Sequence, residues 1–372
     1  MEGARTIDNQ ERAALLGLWA IPGVGPKSLE RIARSAGPLG ALLDVPCREW
    51  AGSLALSVPV RERLGQLHTL RAVSARVQER VEKGRMRVAY PGDLDYPENL
   101  VGLDDAPPLL FVLGERRPGP RRRLAMVGSR MLDTGFKNFA TDFAVKVAKA
   151  GLGIISGAAW GTDKACHDGA LAAEQENWAF LGSALDELDA AQADLADKML
   201  GHGGVFYSEL PPGVRASPET FPRRNRLISG ASDAVLVMRA RKGSGSLHTA
   251  LAAHGQGRPL LAMPGDVTNK VAAGANGLIR SGKARICLGI EDVLAAVGLD
   301  PGQVQAPPAP VVDEALSEQA RVVLSVLGRS PRVFEEVKGA CGLASGAVTS
   351  ALCELELLGL VLQRPGKVYE KV

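Results

Sequence analysis

From residue 123 to residue 297 the chain alternates short apolar runs with amphipathic helical patterns, and few folds accept that rhythm. Leu124-Ala125-Met126-Val127 reads as a buried strand, followed by a helix over 136–150. The pattern repeats: strand 152–155 and helix 163–174, strand 178–181 and helix 190–200, then strand 204–207. It resumes with strand 234–238, helix 246–255, strand 259–263 and a closing helix over 291–297. Strands that alternate with helices of this length pair in parallel, with crossover helices covering both faces of the sheet. The expected fold is α/β, a Rossmann-like doubly wound parallel sheet over residues 86–300.

Glycine-containing turns end several of these strands: Gly128-Ser129-Arg130, Ser156-Gly157-Ala158-Ala159 and Gly243-Ser244-Gly245-Ser246. A strand that turns into a helix N-terminus presents unpaired N–H groups, which favour anions. Between two of the strands lies Phe221-Pro222-Arg223-Arg224-Asn225-Arg226-Leu227-Ile228-Ser229-Gly230. Guanidinium forks suit phosphate oxygens and stay charged at any working pH. Asn225 offers an amide to a base edge or a backbone group. Singly, such turns are loop punctuation and such arginines are solvated surface. Together they converge on strand C-termini, where open α/β sheets bind ligands. The implied site is a phosphate-lined cleft with arginines added to it.

The flanks read differently. Residues 11–36 form two helices around Ile21-Pro22-Gly23-Val24-Gly25-Pro26. This turn resembles the hairpin of helix-hairpin-helix modules, whose glycines let N–H groups approach a DNA phosphate. It reads equally as a packing unit; in the first case Lys27 and Arg31 face phosphate. One long amphipathic helix is expected over 60–83, with its charges off the apolar stripe. The arginines at 116, 117, 121, 122 and 123 read first as a solvated linker run, and second as a nucleic-acid contact. A strand over 107–114, bracketed by prolines, is placed beside the main sheet. Domain boundaries follow: a helical domain at 1–85, the α/β domain at 86–300, a Pro-rich linker at 301–313 and a winged-helix pattern at 314–372. The third helix of that last module carries Ser345, Thr349, Ser350, Glu354 and Glu356 without Arg or Lys. A DNA reader needs cations for phosphates, so a protein-contact or structural role is favoured there.

The chain excludes several chemistries. Gly128-Ser129-Arg130-Met131 does not match the dinucleotide-binding Gly-x-Gly-x-x-Gly, and no phosphate-binding Gly-x-x-x-x-Gly-Lys-Ser/Thr is present. The five histidines form no metal-binding pair, so neither a metal nor a cofactor is expected. Asp163 and His167 share a helix face, which reads first as a carboxylate that caps or stabilises a helix start beside a fold-anchoring histidine, and second as an acid/base or ligand pair. The five cysteines are scattered and lack a Cys-x-x-Cys, which fits a reducing cytoplasm. The apolar runs are too short to span a membrane and residues 1–11 lack a signal-peptide core. A net charge of +3 does not by itself mark a nucleic-acid protein.

The ordered set of motifs resembles the DprA/Smf family, the DNA-processing proteins of natural transformation. It rests on Val127 to Arg130, Ser156 to Asp163 with His167, Ser208 to Gly213, Phe221 to Gly230, Gly243 to Leu247 with Thr249 and Ala250, and Pro264-Gly265 with Gly274, Asn276 and Ile279. The resemblance covers 96–297 closely, and the flanks match its small SAM-like or helix-hairpin-helix domain and winged helix more loosely. It implies a cytoplasmic, homodimeric, non-enzymatic protein, its dimer made through the Rossmann-like domain. Such a protein binds single-stranded DNA, overcomes single-strand-binding protein and loads the recombinase RecA. It maps a DNA pocket onto Gly128, Ser129, Arg130, Ser156, Gly157, Arg224, Asn225, Arg226, Ser244, Gly245, Ser246 and Asn276, with Trp160, Lys27, Arg223 and Lys242 on the rim. Trp160 replaces a basic residue common in the family, and reads equally as a base-stacking platform or a packed rim residue. The alternative class is a nucleotide-processing hydrolase on a related sheet. It would show Pro-Gly-Gly-x-Gly-Thr with a nearby Glu, where this chain has Arg241-Lys242-Gly243-Ser244-Gly245-Ser246. A third class is a pure interaction scaffold.

Overall fold

The computed structural model describes residues 8–116, 122–300, 316–327, 331–358, 360–364 and 366–371. The Pro-rich linker 301–313, and Arg117 and Arg121 of the basic run, lie outside the described residues. The chain divides into two compact units, 1–304 and 305–372.

The first unit opens with helices α1 (Asn9–Trp19), α2 (Pro26–Ala36), α3 (Cys47–Trp50), α4 (Val58–Gly65) and α5 (Leu70–Lys83). The single helix expected over 60–83 is broken at 66–69. Thr69 adopts extended backbone and its hydroxyl accepts from the Ala72 amide, so it caps a new helix. These helices share an apolar core with the sheet: Leu15, Leu18 and Trp50 belong to one cluster with Ala179, Leu181 and Phe206. Trp19 also donates its Nε1–H to the Glu209 carbonyl at 2.7 Å.

Among the described residues the sheet has nine strands. They are β1 (Arg87–Ala89), β2 (Leu110–Leu113), β3 (Arg123–Gly128), β4 (Gly153–Ser156), β5 (Asn177–Phe180), β6 (Val205–Ser208), β7 (Ala234–Arg239), β8 (Leu260–Ala262) and β9 (Arg285–Ile286). Their spatial order is β1-β2-β6-β5-β4-β3-β7-β8-β9. From β6 through β9 all neighbours are parallel, while β2 joins β6 antiparallel and β1 joins β2 antiparallel. Crossover helices are α6 (Thr134–Lys149), α7 (Thr162–Ala172), α8 (Ala190–Gly201), α9 (Thr220–Ala231), α10 (Ser246–Gly255) and α11 (Ala273–Arg280), and α12 (Ile290–Ala296) follows the last strand. The apolar runs of the sequence are continuous because both sheet faces are covered: Leu124 and Met126 join one core cluster, Ala125 and Val127 another.

Strand order fixes the place of a site. The chain moves from β3 outward to β6, returns to the other side of β3 and continues through β7 to β9. Loops leaving β3 and β7 therefore diverge, and a crevice opens at the C-terminal ends of these neighbours.

Arg123 departs from the solvated reading of its run. It is 3% exposed, its guanidinium is paired with Glu176 at 2.7 Å and Glu98 at 2.8 Å, and it lies over the Trp178 ring. Arg116 pairs with Glu98 and Arg122 with Asp233. No helix among the described residues is long and apolar enough to cross a membrane.

The second unit has α13 (Glu318–Val326), β10 (Arg332–Val333), α14 (Phe334–Cys341), α15 (Ser345–Leu357), β11 (Val361–Arg364) and β12 (Val368–Lys371). Three helices and a small antiparallel sheet in the order β10-β12-β11 make a winged helix. Val348, Ala351, Leu352 and Leu355 turn inward, leaving Ser345, Thr349, Ser350 and Glu356 exposed on α15.

Candidate nucleic-acid interface

A crevice of about 410 Å³ occupies the divergence between β3 and β7. The end of β3 and the loop after it supply Gly128, Ser129, Arg130 and Met131, and the loop after β7 with the first residue of α10 supplies Arg241, Gly243, Ser244, Gly245 and Ser246. Helix α9 contributes Phe221, Arg224, Asn225 and Ile228, and α7 contributes Asp163.

The loops are braced against each other. Thr162, at the start of α7, donates through both its amide and its hydroxyl to the Ser129 carbonyl. Gly128 is required there, since a Cβ would stand 2.5 Å from the Thr162 hydroxyl. Asn225 donates Nδ2–H to the Gly245 carbonyl at 3.2 Å, which joins α9 to the loop before α10. The Ser244 and Ser246 hydroxyls are 2.9 Å apart. The Ser129 hydroxyl is used locally, bonding both the amide and the carbonyl of Met131.

Arg224 is 4% exposed. Its Nη1 donates to the carbonyls of Gly157 and Phe180, at the ends of β4 and β5. Burial pulls its pKa down to about 10, against the opposing attraction of Asp163, so it remains cationic at neutral pH. Asp163 is enclosed beside it, and burial raises its carboxyl above the usual range; Arg224, the amides of Ala159 and Gly157 and the Ser156 hydroxyl oppose that rise. Gly157 must lack a side chain, because a Cβ there would collide with the Arg224 guanidinium. Asp163 therefore reaches back to the loop before its helix, and Gly161, not Asp163, is the residue at the N-cap of α7. His167 has no exposed surface. Its Nδ1 and the Asn177 Oδ1 are 2.5 Å apart and its Nε2 accepts from the Ala158 amide, so it pins the Ser156–Ala159 loop. Burial drops its pKa to about 4.

Of the sequence-derived pocket residues, Gly128, Ser129, Arg130, Arg224, Asn225, Ser244, Gly245 and Ser246 come together on the crevice wall. The others are placed differently. The Ser156 hydroxyl is fully buried and donates to the Met126 carbonyl; Gly157 backs Arg224 from behind the wall. Arg226 points away, into the Glu209 carboxylate and the Asp105 carbonyl. Asn276 closes the Pro264-Gly265 turn with two bonds to the Gly265 backbone. On the rim, Arg223 is exposed but paired with Glu209 at 3.5 Å, and Lys242 is exposed beside Arg241. Trp160 is 64% exposed and lines an adjoining hollow with Arg130, Ala159 and Phe221. Lys27 is exposed at the start of α2 and lines neither hollow.

Sequence reading missed Asp163, Phe221 and Arg241 as crevice residues. Arg241 was findable, since it stands on the same turn as Gly243-Ser244-Gly245. Phe221 carries the less visible signal: its ring lies 5.2 Å from the Arg130 guanidinium and 5.9 Å from that of Arg224. Among the described residues Arg130, Arg241 and Lys242 have no ion-pair partner, and all three are exposed.

A Rossmann-like sheet with a cation-rimmed crevice at its switch point, in one chain with a winged helix, defines the class. The profile of DNA recombination-mediator protein A matches residues 87–298, and that of the DprA winged helix domain matches 307–367. The chain belongs to the DNA recombination-mediator protein A family, known as DprA or Smf. Protein Smf of Escherichia coli strain K12 is 36% identical over 284 residues, 74% of this chain and 75% of that one. Protein Smf of a Synechocystis strain is 28% identical across 98% of this chain and 99% of its own. The solved DprA of Streptococcus pneumoniae aligns with a TM-score of 0.61 at 26% identity, over 77% of this chain and 98% of that chain. DNA processing protein A of Helicobacter pylori, solved for its single-stranded DNA binding mode, shares the fold at a TM-score of 0.50 and 24% identity, over 57% of this chain and 94% of that one.

Proposed function

We propose that this protein binds single-stranded DNA in the crevice between β3 and β7 and acts as a recombination mediator in the cytoplasm. The observation that carries the reading is the rim: Arg130, Arg241 and Lys242 are exposed and without ion pairs among the described residues, around a crevice at the sheet's switch point. Free cations of this kind attract phosphates and release counterions on binding. Phe221 and Trp160 beside them offer ring faces that every base can stack on. The single-strand binding stated for the Helicobacter pylori protein supports the same use here.

On this reading the crevice holds the strand and needs no catalytic step. Asp163 is enclosed, accepts from the Gly157 and Ala159 amides and lies in the field of Arg224, which leaves it poorly placed to activate water. RecA loading, displacement of single-strand-binding protein and a homodimer through the Rossmann-like unit are parts of the same proposal. The exposed face of α15 lacks cations, which fits the winged helix to protein contact better than to duplex DNA.

A fluorescence-anisotropy titration of a labelled single-stranded oligonucleotide at several salt concentrations, with a duplex competitor, tests the proposal. Tight, salt-dependent, single-strand-preferring binding is expected. No binding at low salt would sink it and turn attention to base release from nucleotides in the same crevice.

A further inference from the structure

An ion pair outside the crevice ties together the two loops that open it. Arg239, the last residue of β7, gives Nη1 to the Asp133 carboxylate at 2.7 Å, and its guanidinium lies 3.9 Å over the Phe136 ring. Asp133 ends the loop that carries Arg130, and Arg239 begins the turn that carries Arg241 and Lys242. Neither partner lines the crevice itself.

Strand alternation alone would aim Arg239 elsewhere. Val235 and Val237 face one core cluster, Leu236 and Met238 the other. The next residue belongs on the Val237 side. Between Val127 and Gly128 of β3, however, the partner on β7 advances from Val237 to Arg239, a bulge that leaves Met238 over. Bulges re-aim side chains. Here Arg239 joins Met238 on the side of Phe136 and α6, and Ala240 returns to the Val237 cluster. Asp133 is divided between two partners: Oδ1 accepts from the Phe136 amide at 2.8 Å and caps α6, while Oδ2 takes Arg239. Each loop is also fixed on its far side. Thr162 holds the Ser129 carbonyl, and the amides of Gly274 and Ala275 hold the Ala240 carbonyl. Among the described residues, Asp133–Arg239 is the ion pair that joins one loop to the other.

We infer that Asp133 and Arg239 are positioning residues for strand binding, setting the separation of Arg130 from Arg241 and Lys242 so that both sides of the rim meet phosphates of one strand. A rim held at that separation before the strand arrives has less freedom to lose on binding. The inference rests on the single-strand-binding reading and adds to it two residues that touch no DNA.

Anisotropy titration of the full chain with labelled oligo-dT tests it through Asp133→Asn. Asparagine caps a helix as well as aspartate does. With its oxygen on the Phe136 amide it turns Nδ2 toward Arg239, donor against donor. Simple charge counting predicts tighter binding, because a negative charge near the phosphates is gone. Positioning predicts the opposite sign, a loss of about threefold to tenfold. The unfolding midpoint should stay near that of the parent protein, since an exposed ion pair adds little stability. Asp133→Ser, a second neutral cap, should behave alike and serves if Asp133→Asn does not fold. In a double-mutant cycle with Arg239→Met the two losses should not add, because either change alone breaks the pair. Equal or tighter binding by the neutral Asp133 variants, or additive losses in the cycle, would overturn the inference and leave strand binding intact. Absence of binding by the parent protein would remove the DNA-binding reading itself.

Discussion

The Arg226 guanidinium donates to the Glu209 carboxylate at 2.5 Å, and the pair fastens α9 to the turn after β6. Glu209 is 2% exposed, and its carbonyl also receives the Trp19 indole. Removing one partner of an enclosed pair leaves a charge stranded, at a cost of about 3–5 kcal/mol. Arg226 is partly exposed and Arg223 stands 3.5 Å from the other Glu209 oxygen, so the cost here is lower. Arg226→Ala should lower unfolding free energy by about 2 kcal/mol, while oligonucleotide affinity at a temperature where the variant is folded stays within about twofold. Urea unfolding and anisotropy on the same sample check both. A large affinity loss in a stably folded variant would return Arg226 to the DNA contact.

Arg130 and Arg241 should govern salt dependence. Each phosphate neutralised on a single strand contributes about 0.7 to the slope of log affinity against log salt. The double change Arg130→Ala and Arg241→Ala should flatten that slope by roughly 1.4 and weaken binding most at low salt. An unchanged slope would place the phosphate track elsewhere.

These two predictions divide the sequence's arginines in a way the sequence could not. The strand and helix alternation was legible because each strand is buried on both faces and so is apolar without interruption. The switch point followed from nothing local; it needs the order of strands in space. Helix α9 was hidden by its arginines, although Leu227, Ile228 and Ala231 form its inward face and Pro222 sits in its first turn. Which arginine is free depends on partners distant in the chain, namely Glu209 for Arg226, the Gly157 and Phe180 carbonyls for Arg224 and Glu176 for Arg123. The break before α5 was obscured because Leu67 and Leu70 carry the apolar stripe across it.

His167 makes stability depend on pH. Its folded-state pKa of about 4 lies below the ordinary 6.5, so the fold favours the neutral ring. The contribution is complete above the unfolded pKa and is lost as pH falls toward the folded value. Between pH 7 and pH 5 the loss from this one group is about 2 kcal/mol. Asp163 and Glu176, whose pKa values are raised by burial, act in the opposite direction. The measurement is therefore the wild-type-minus-variant difference in urea unfolding free energy for His167→Gln. That difference should shrink by about 2 kcal/mol from pH 7 to pH 5; a constant difference would mean the ring is not held neutral.

Trp160 separates base stacking from rim packing. Trp19, Trp50 and Trp178 are buried, so Trp160 alone among the tryptophans presents its ring to solvent. It adjoins Arg130 and Phe221, which places a strand crossing the crevice lip within reach of the indole. Stacking of one base on an aromatic side chain is worth about 1–3 kcal/mol. Trp160→Ala should therefore weaken oligo-dT binding about tenfold and leave the unfolding midpoint unchanged, since little of the side chain is enclosed. The solvent-exposed, red-shifted part of the intrinsic fluorescence should be quenched on titration with oligo-dT, and Trp160→Phe should abolish the quenching while retaining most of the affinity. Undiminished affinity in Trp160→Ala, with no quenching in the parent protein, would make the indole a rim residue and leave Phe221 as the ring the bases meet.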